Sequence, residues 1–258
     1  MAEIKSQRWF GWKPDLPDPR DFVSRMQLRA AATLPEKVDL RDKYKAIPMI
    51  NQGALGSCTA CAISVCHMAC QVIQNDFQII PSKLFIYYNE RAMEGTIHYD
   101  SGAMIRDGIK SVVRQGVCDE KEWPYNINKF RIKPPKIAYK NALSNQALLY
   151  ERLRNSVLED LMIVLANGYP FVFGFTVYES LDSRQVARTG IYNPDPYKED
   201  IIGGHAVTAY GYDKKDGTFL IRNSWGSGWG QRGYFKMKFE HVTNTNMAED
   251  FWLIRTVE

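Results

Sequence analysis

A chain of 258 residues, 45% of them hydrophobic, can bury one sizeable core or two lobes that share an interface. Its formal charge of +4 comes from 33 basic and 29 acidic residues with no run of like charge, so no nucleic-acid partner is implied. No apolar stretch reaches the roughly 18 to 20 residues of a membrane helix, no membrane partner is expected, and the opening Met1–Lys5 lacks the apolar core of a signal peptide, which predicts a cytoplasmic chain.

In chain order, residues 1–33 read as an N-terminal extension. Phe10 to Asp21 carries three prolines and two aromatics, the composition of an extended, polyproline-like strap lying on a surface. Residues 22–33, ending in Arg29-Ala30-Ala31-Ala32, have the makings of a short helix. Two readings stand side by side: a tail packed on the body, or a pro-segment that fills an active-site groove until it is cut or displaced. The body begins at Leu34-Pro35 to Arg41. A glycine-rich turn, Asn51 to Gly56, then runs into Ser57-Cys58, and residues 58–74 are apolar nearly all round, as in a helix at the centre of a domain.

Pro81 suits the first position of a second helix with Leu84, Phe85, Tyr88 and Met93 inward. After a loop at Tyr99-Asp100-Ser101-Gly102, a third helix is predicted from about Ala103, with Ile105, Ile109, Val112 and Val113 buried and Gly116 as its stop. Residues 119–145, with Pro124, Pro134 and Pro135, read as a crossing between lobes. Ser156-Val157-Leu158-Glu159 has capping-box spacing and predicts a helix over about 157–166. Beyond Pro170 the pattern turns to strands at 171–177, 205–212, 218–222, 233–239 and 251–256. Helices first and strands second predict an α+β protein with a helical lobe at about 34–140, a β lobe at about 141–258 and a cleft between them.

The chemistry is expected at Cys58. At the first turn of a helix, unpaired N–H groups and the macrodipole favour a thiolate and predict a lowered pKa. Of four histidines, His67 lies nine positions along the same helix, about 180° round at 100° per residue, and faces away. His98 and His241 read as surface residues, the latter in a solvated turn. His205 follows Gly203-Gly204 and leads into a strand, so it is placed at a strand start facing the cleft. Asn223, ending the strand before Ser224-Trp225-Gly226, is the candidate to hold the second ring nitrogen, with Trp225 covering that bond. The Cys58 N–H and the Gln52 amide are candidate oxyanion donors. Cys58-x-x-Cys61 as a metal or redox site is a weaker alternative, because no second Cys/His pair follows at finger spacing. With five cysteines, four of them in one helix, no disulfide framework is expected.

Gln52-Gly53-x-x-Gly56-Ser57-Cys58, Gly204-His205-Ala206-Val207 and Asn223-Ser224-Trp225-Gly226-x-Gly228-Trp229-Gly230 together resemble the papain-like (C1-type) cysteine peptidases, over about residues 34–258. The resemblance implies the two-lobed papain-like fold and peptide hydrolysis through a thioacyl-enzyme, with Cys58 as nucleophile, His205 as base and acid, Asn223 as orienter and Gln52 as oxyanion-hole donor. It implies substrate contacts at Ser101, Gly102, Met104, Gly174 and Trp225, with Met104 and Gly174 lining the pocket for the second residue before the cut and Glu249, Asp250 and Leu253 near its floor. No cofactor and no metal is implied; the partner is a peptide or protein substrate, and the chain is expected to act as a monomer. A transpeptidase or deamidase on the same scaffold, or a catalytically weak homologue, stands as the alternative. Leu55 replaces a disulfide cysteine of secreted members, Thr59 replaces the tryptophan after the nucleophile, and Ser101 replaces the first glycine of the groove pair. These departures look more like the branch found in prokaryotes and large DNA viruses than like animal cathepsins, and they extend the expected location to packaging from the cytoplasm, for example in a virion.

Overall fold

The computed structural model of the protein describes residues 9–19, 21 and 34–258. The helix expected within 22–33 lies outside the described residues. The body opens with β1 (Lys37–Asp39), followed by α1 (Cys58–Ile73), α2 (Lys83–Met93) and α3 (Ile105–Gln115). A short 3-10 turn at Ile127–Lys129 and α4 (Lys136–Ala142) occupy the polar crossing, then β2 (Ala147–Arg152) and α5 (Leu158–Ala166). The remainder is β3 (Phe171–Tyr178), α6 (Arg184–Thr189), β4 (Ile191–Tyr192), β5 (Ile201–Asp213), β6 (Thr218–Arg222), β7 (Tyr234–Lys238), α7 (Phe239–Thr243) and β8 (Ala248–Val257). The result is an α+β fold with helices ahead of a largely antiparallel sheet.

The apolar girth of α1 has a packing cause. Cys61, Val65, Met68 and Ala69 join the core under the sheet, while Ala60, Ile63, Cys66 and Cys70 join the core shared with α2 and α3. A helix buried from both sides must be apolar all round, and its Ala, Cys and Ser residues let both layers approach.

Seven strands run in the order β2-β8-β3-β5-β6-β7-β4, with β1 added on β5. Pairing is antiparallel except between β4 and β7. Because Val38 pairs with Tyr212, the first body segment, expected in the helical lobe, belongs to the sheet. Three residues are too few to show a period of two, which is why the strand is silent in the sequence.

Other boundaries differ for local reasons. Pro81 stands outside α2, in a bridge to Asp119, and Ser82 caps the helix by accepting the Phe85 N–H at 3.2 Å. The N-cap of α5 is Val157, so the expected capping box is one residue out of register. Met93, expected inward, is exposed at the end of α2. His241, expected in a solvated turn, is buried within α7 beside the fully buried Val242. Among the described residues no helix is long and apolar enough to cross a membrane.

Candidate active site

The site forms where the start of α1 meets β5 and the loop after β6. Cys58 is the first residue of α1, and its side chain is wholly buried. The preceding turn is tied in place from both sides. Gly56 N–H donates to the Asp100 carboxylate at 3.0 and 3.1 Å, and Ser57 Oγ shares a hydrogen bond with Tyr125 OH at 2.5 Å. Asp100, which nothing in the sequence singled out, also accepts from Tyr87 OH. Thr59, in the place of the usual tryptophan, donates to buried Glu90 Oε1 at 2.6 Å, and Leu55 is buried in the helical core. Burial comes first in pushing the Glu90 carboxyl well above its usual range, against the Thr59 hydroxyl that donates to it.

β5 starts at Ile201, four residues before His205, so the histidine lies within the strand and not at its start. Gly203 and Gly204 are strand residues that leave room for a neighbouring chain: a Cβ on Gly203 would touch the Phe10 ring at 3.0 Å, and one on Gly204 would lie 2.6 Å from the Trp12 carbonyl oxygen.

Asn223 Oδ1 lies 2.8 Å from His205 Nε2 and also accepts the Ser224 backbone N–H at 2.8 Å. That second bond fixes which amide atom is oxygen. Nε2 therefore carries the hydrogen, and Nδ1 carries the lone pair. His205 Nδ1 is buried with no hydrogen-bond partner. The next residue along, Ala206, donates its N–H to Cys58 Sγ at 3.4 Å, which ties β5 to the start of α1. Trp225 stacks on the imidazole with centroids 4.9 Å apart and planes 27° apart, and Trp229 abuts Trp225 edge-on.

Gln52 is buried and held at both ends of its amide. Its Oε1 accepts from Ser224 Oγ at 2.5 Å, and its Nε2 donates to the carbonyls of Leu55 at 2.9 Å and Trp9 at 3.1 Å. Its backbone N–H donates to the Ser224 carbonyl at 2.8 Å, and Asn51 bridges to Trp225, so the two loops are one unit. Thus Gln52, Cys58, His205, Asn223 and Trp225 converge. His67 lies on the far side of α1, where its Nδ1 accepts from Gln71 Nε2 at 3.0 Å, and His98 is exposed.

What covers this site is the strap, in the groove that one of its two readings gave it. Residues 9–15 run through the cleft. Phe10 sets its ring edge-on to both His205 and Trp225 at 6.0 Å. Gly11 lies between the glycines of the two walls: a Cβ on it would sit 1.8 Å from the Gly56 carbonyl oxygen, and a Cβ on Gly102 would sit 2.0 Å from the Gly11 carbonyl oxygen. Trp12 N–H donates to the Gly204 carbonyl at 3.0 Å. The strap's partner on the opposite wall is Ala103, which donates to the Gly11 carbonyl at 2.7 Å and accepts the Lys13 N–H at 3.0 Å, in a parallel bridge. Gly102, at φ +65°, turns its own N–H inward to Tyr87 OH at 3.2 Å. Ser101 Oγ donates to Thr96 Oγ1 at 2.9 Å, within its own loop. Met104 follows Ala103, its N–H held by Glu94 Oε1 at 2.8 Å. Gly174 lies directly under the Trp12 indole.

Covering the site reverses the expected electrostatics. Burial pushes the Cys58 thiol up to about 12, against the pull of the Ala206, Gly11 and Thr59 N–H groups. Burial likewise pushes His205 down to about 4, partly offset by Asn223. The lowered thiol pKa expected at a helix start is therefore overturned by desolvation, and the covered pair is neutral thiol and neutral imidazole.

Residues 34–253 match the profile of the papain family cysteine proteases. A peptidase C1-like protein of Acanthamoeba polyphaga mimivirus is 40% identical, the alignment covering 97% of this chain and 88% of that one. Chymopapain of Carica papaya is 29% identical over 86% of this chain and 58% of its own. Among solved structures, xylellain, a cysteine protease from Xylella fastidiosa, superimposes with a TM-score of 0.90 at 39% identity, with all of both chains covered.

Proposed function

Because the chain belongs to the papain family of cysteine proteases, we propose that it hydrolyses peptide bonds with Cys58 as nucleophile, His205 as base and acid, Asn223 as the residue that sets the imidazole tautomer, and Gln52 with the Cys58 N–H as oxyanion donors. The observation that carries these roles is the unpartnered Nδ1 of His205, whose lone pair is dictated by the Ser224–Asn223–His205 chain of hydrogen bonds. With the cleft open, Nδ1 takes the Cys58 proton and the sulfur attacks the scissile carbonyl carbon. The oxyanion is held by Gln52 Nε2 and the helix-start N–H, and Nδ1–H then protonates the leaving amine. Water, deprotonated by the same Nδ1, releases the acid and regenerates the thiol. Labelling by a thiol-directed epoxide, followed by intact mass, tests this: one adduct is expected on Cys58, with complete loss of peptide hydrolysis, while Cys58→Ala is expected to take no adduct and to lack hydrolysis from the outset. Full labelling with undiminished hydrolysis would sink the mechanism.

The same reading takes the strap as a pro-segment. The Gly11 N–H is one of the backbone donors that act on the Cys58 thiol, against the larger effect of burial. Beyond the cleft it is fastened by charge. Asp15 N–H donates to Asp250 Oδ2 at 2.8 Å, Trp252 Nε1 donates to Asp15 Oδ2 at 2.8 Å, Arg106 and Arg152 both reach Asp21, and Lys110 reaches Asp18.

Burial is the first cause raising both Asp15 and Asp250; the neighbouring Asp250 carboxylate lifts Asp15 further, to about 7, against Trp252 and Arg106, while Arg152 opposes the rise at Asp250 and Glu249 faces it as a further acid. A carboxyl raised by docking favours the protonated, docked state. Its contribution is full below its ordinary value near 4 and is lost as pH rises through about 7. The melting temperature of the Cys58→Ala chain is expected to fall by a few degrees between pH 5 and pH 8, on the order of 1–2 kcal/mol, and Asp15→Asn is expected to flatten that slope. Identical slopes in the two chains would remove the pair from strap docking.

A further inference from the structure

The peptide unit between Leu55 and Gly56 joins the turn before Cys58 to the opposite loop. Its carbonyl accepts from Gln52 Nε2 at 2.9 Å and from the Ser57 N–H at 2.8 Å, and its N–H donates to both oxygens of Asp100, at 3.0 and 3.1 Å. One planar amide therefore carries the oxyanion donor at one end and a carboxylate at the other.

The consequence falls on Gln52. Its Oε1 is fixed by Ser224 Oγ, one Nε2 hydrogen is fixed by the Leu55 carbonyl, and the other meets the strap's Trp9 carbonyl at 3.1 Å. That second hydrogen is the one a developing oxyanion can use once the strap is gone. If the Leu55–Gly56 peptide flipped, its carbonyl would leave Nε2 and an N–H would face it, donor against donor. The flip changes ψ at Leu55 and φ at Gly56, and glycine accepts either sign of φ, so the backbone itself resists little. Glycine is needed there for another reason, since a Cβ would lie 3.1 Å from Asp100 Oδ1. No covalent tie holds the peptide either, because all five cysteines are free.

Asp100 is itself held firmly. Tyr87 OH donates to its Oδ1 and accepts the Gly102 N–H at 3.2 Å. Buried Arg91 lies 4.0 Å from the centre of the Tyr87 ring and donates to the carbonyls of Ile97 and Tyr99 at 3.0 Å each, which fixes the loop that carries Asp100. Resting on the peptidase reading above, we propose that Asp100 is a positioning residue of the reaction. By gripping the Gly56 N–H it keeps the Leu55 carbonyl on Gln52 Nε2, and so keeps the second Nε2 hydrogen aimed where the oxyanion forms. A charge-assisted hydrogen bond thus stands in this chain where secreted relatives place a disulfide cysteine, at Leu55.

The test compares two rates in the full chain: kcat/KM for hydrolysis of a peptide amide, and alkylation of Cys58 by iodoacetamide, read by intact mass against Cys58→Ala. Alkylation displaces iodide from a methylene carbon and forms no oxyanion, whereas hydrolysis forms one. Both need the open cleft, so its population cancels in their ratio. Asp100→Ala is expected to lower hydrolysis about 10- to 100-fold while alkylation stays within about threefold. Asp100→Asn, which keeps an acceptor for the Gly56 N–H, is expected to restore hydrolysis to within about fivefold of the unaltered chain. Gln52→Ala is expected to cost about 10²- to 10³-fold in hydrolysis, and adding Asp100→Ala to it less than about threefold more, because the group that Asp100 positions is gone. Tyr87→Phe keeps the ring under Arg91 and tests the same relay should Asp100→Ala fold poorly; it is expected to lower the ratio of hydrolysis to alkylation about threefold. Hydrolysis and alkylation falling together, hydrolysis unchanged in Asp100→Ala, or a full Asp100→Ala loss persisting in Gln52→Ala overturns the positioning role and leaves Cys58 as the nucleophile. An unaltered chain that neither hydrolyses the peptide nor takes the alkyl group on Cys58 overturns the peptidase reading, and this inference with it.

Discussion

With the strap displaced, His205→Ala is expected to lower kcat/KM for peptide hydrolysis by about 10³- to 10⁴-fold, the range for removing a positioned general acid and base. The loss has two parts. Nδ1 no longer takes the thiol proton, and no group remains to protonate the leaving amine. The ring's partner makes no substitute: Asn223 Oδ1 is an acceptor already engaged by the Ser224 N–H, and its amide cannot supply a proton at neutral pH. The residual activity carries a distinguishing mark. Without the imidazole the reacting species is a free thiolate, so the rate is expected to climb about tenfold per pH unit toward the ordinary thiol range near 8.5. The unaltered enzyme is expected to be flat over that interval. Steady-state kinetics from pH 6 to 9 read both features, with circular dichroism confirming that the variant keeps its sheet. A loss of less than about tenfold, with an unchanged pH profile, would place the base elsewhere.

What could be read from the residues was decided by how local its cause is. Gln52, Cys58, His205 and Asn223 could be picked out because each has a side chain suited to one chemical task and sits in a short motif rich in glycine or at the edge of an element, although His205 lies inside β5 and not at its start. α1 was legible because burial from both sides leaves an unbroken apolar record. The state of ionisation was not legible, since the helix-start effect on Cys58 is local whereas its burial is tertiary and includes the strap, some 47 residues back in the chain. The start of β5 was misplaced for the same reason: a glycine pair just ahead of a strand and one inside it that lets another segment approach look alike in sequence, and only the position of Phe10 and Trp12 separates them. β1 is too short for periodicity, and its pairing with β5 moves the first body segment to the other lobe. Ala103, whose backbone pairs with the strap, has no side-chain signal at all; the expectation fell on Gly102, whose positive φ turns its amide away. In Asp250, an acid at a pocket floor was visible, but its partners Trp12, Asp15 and Arg152 come from three distant segments.

Gly11→Val is expected to raise the rate of Cys58 labelling in the full chain by about 100-fold. Any side chain at this position drives its first carbon to 1.8 Å from the Gly56 carbonyl oxygen and 2.4 Å from its carbon. Both atoms are backbone, in a turn fastened by Asp100, so no rotamer change relieves the overlap. Overpacking of that severity costs about 3 kcal/mol, which is about two decades in the population of the open cleft. The gain is expected to be largest near neutral pH. In the covered state the thiol is pushed up to about 12 and the imidazole down to about 4 by burial, so between those values neither is charged. Lifting the strap hydrates both and lets the proton pass from Sγ to Nδ1, the charged form that the helix start and Asn223 favour. The anchors at Asp15, Asp18 and Asp21 are untouched by this substitution, so the body should melt within a few degrees of the unaltered chain. A faster rate at unchanged stability separates uncovering from general loosening. Equal labelling rates in the two chains at pH 7 would mean that the cleft of the unaltered chain is already open most of the time, and that the strap does not restrain the enzyme.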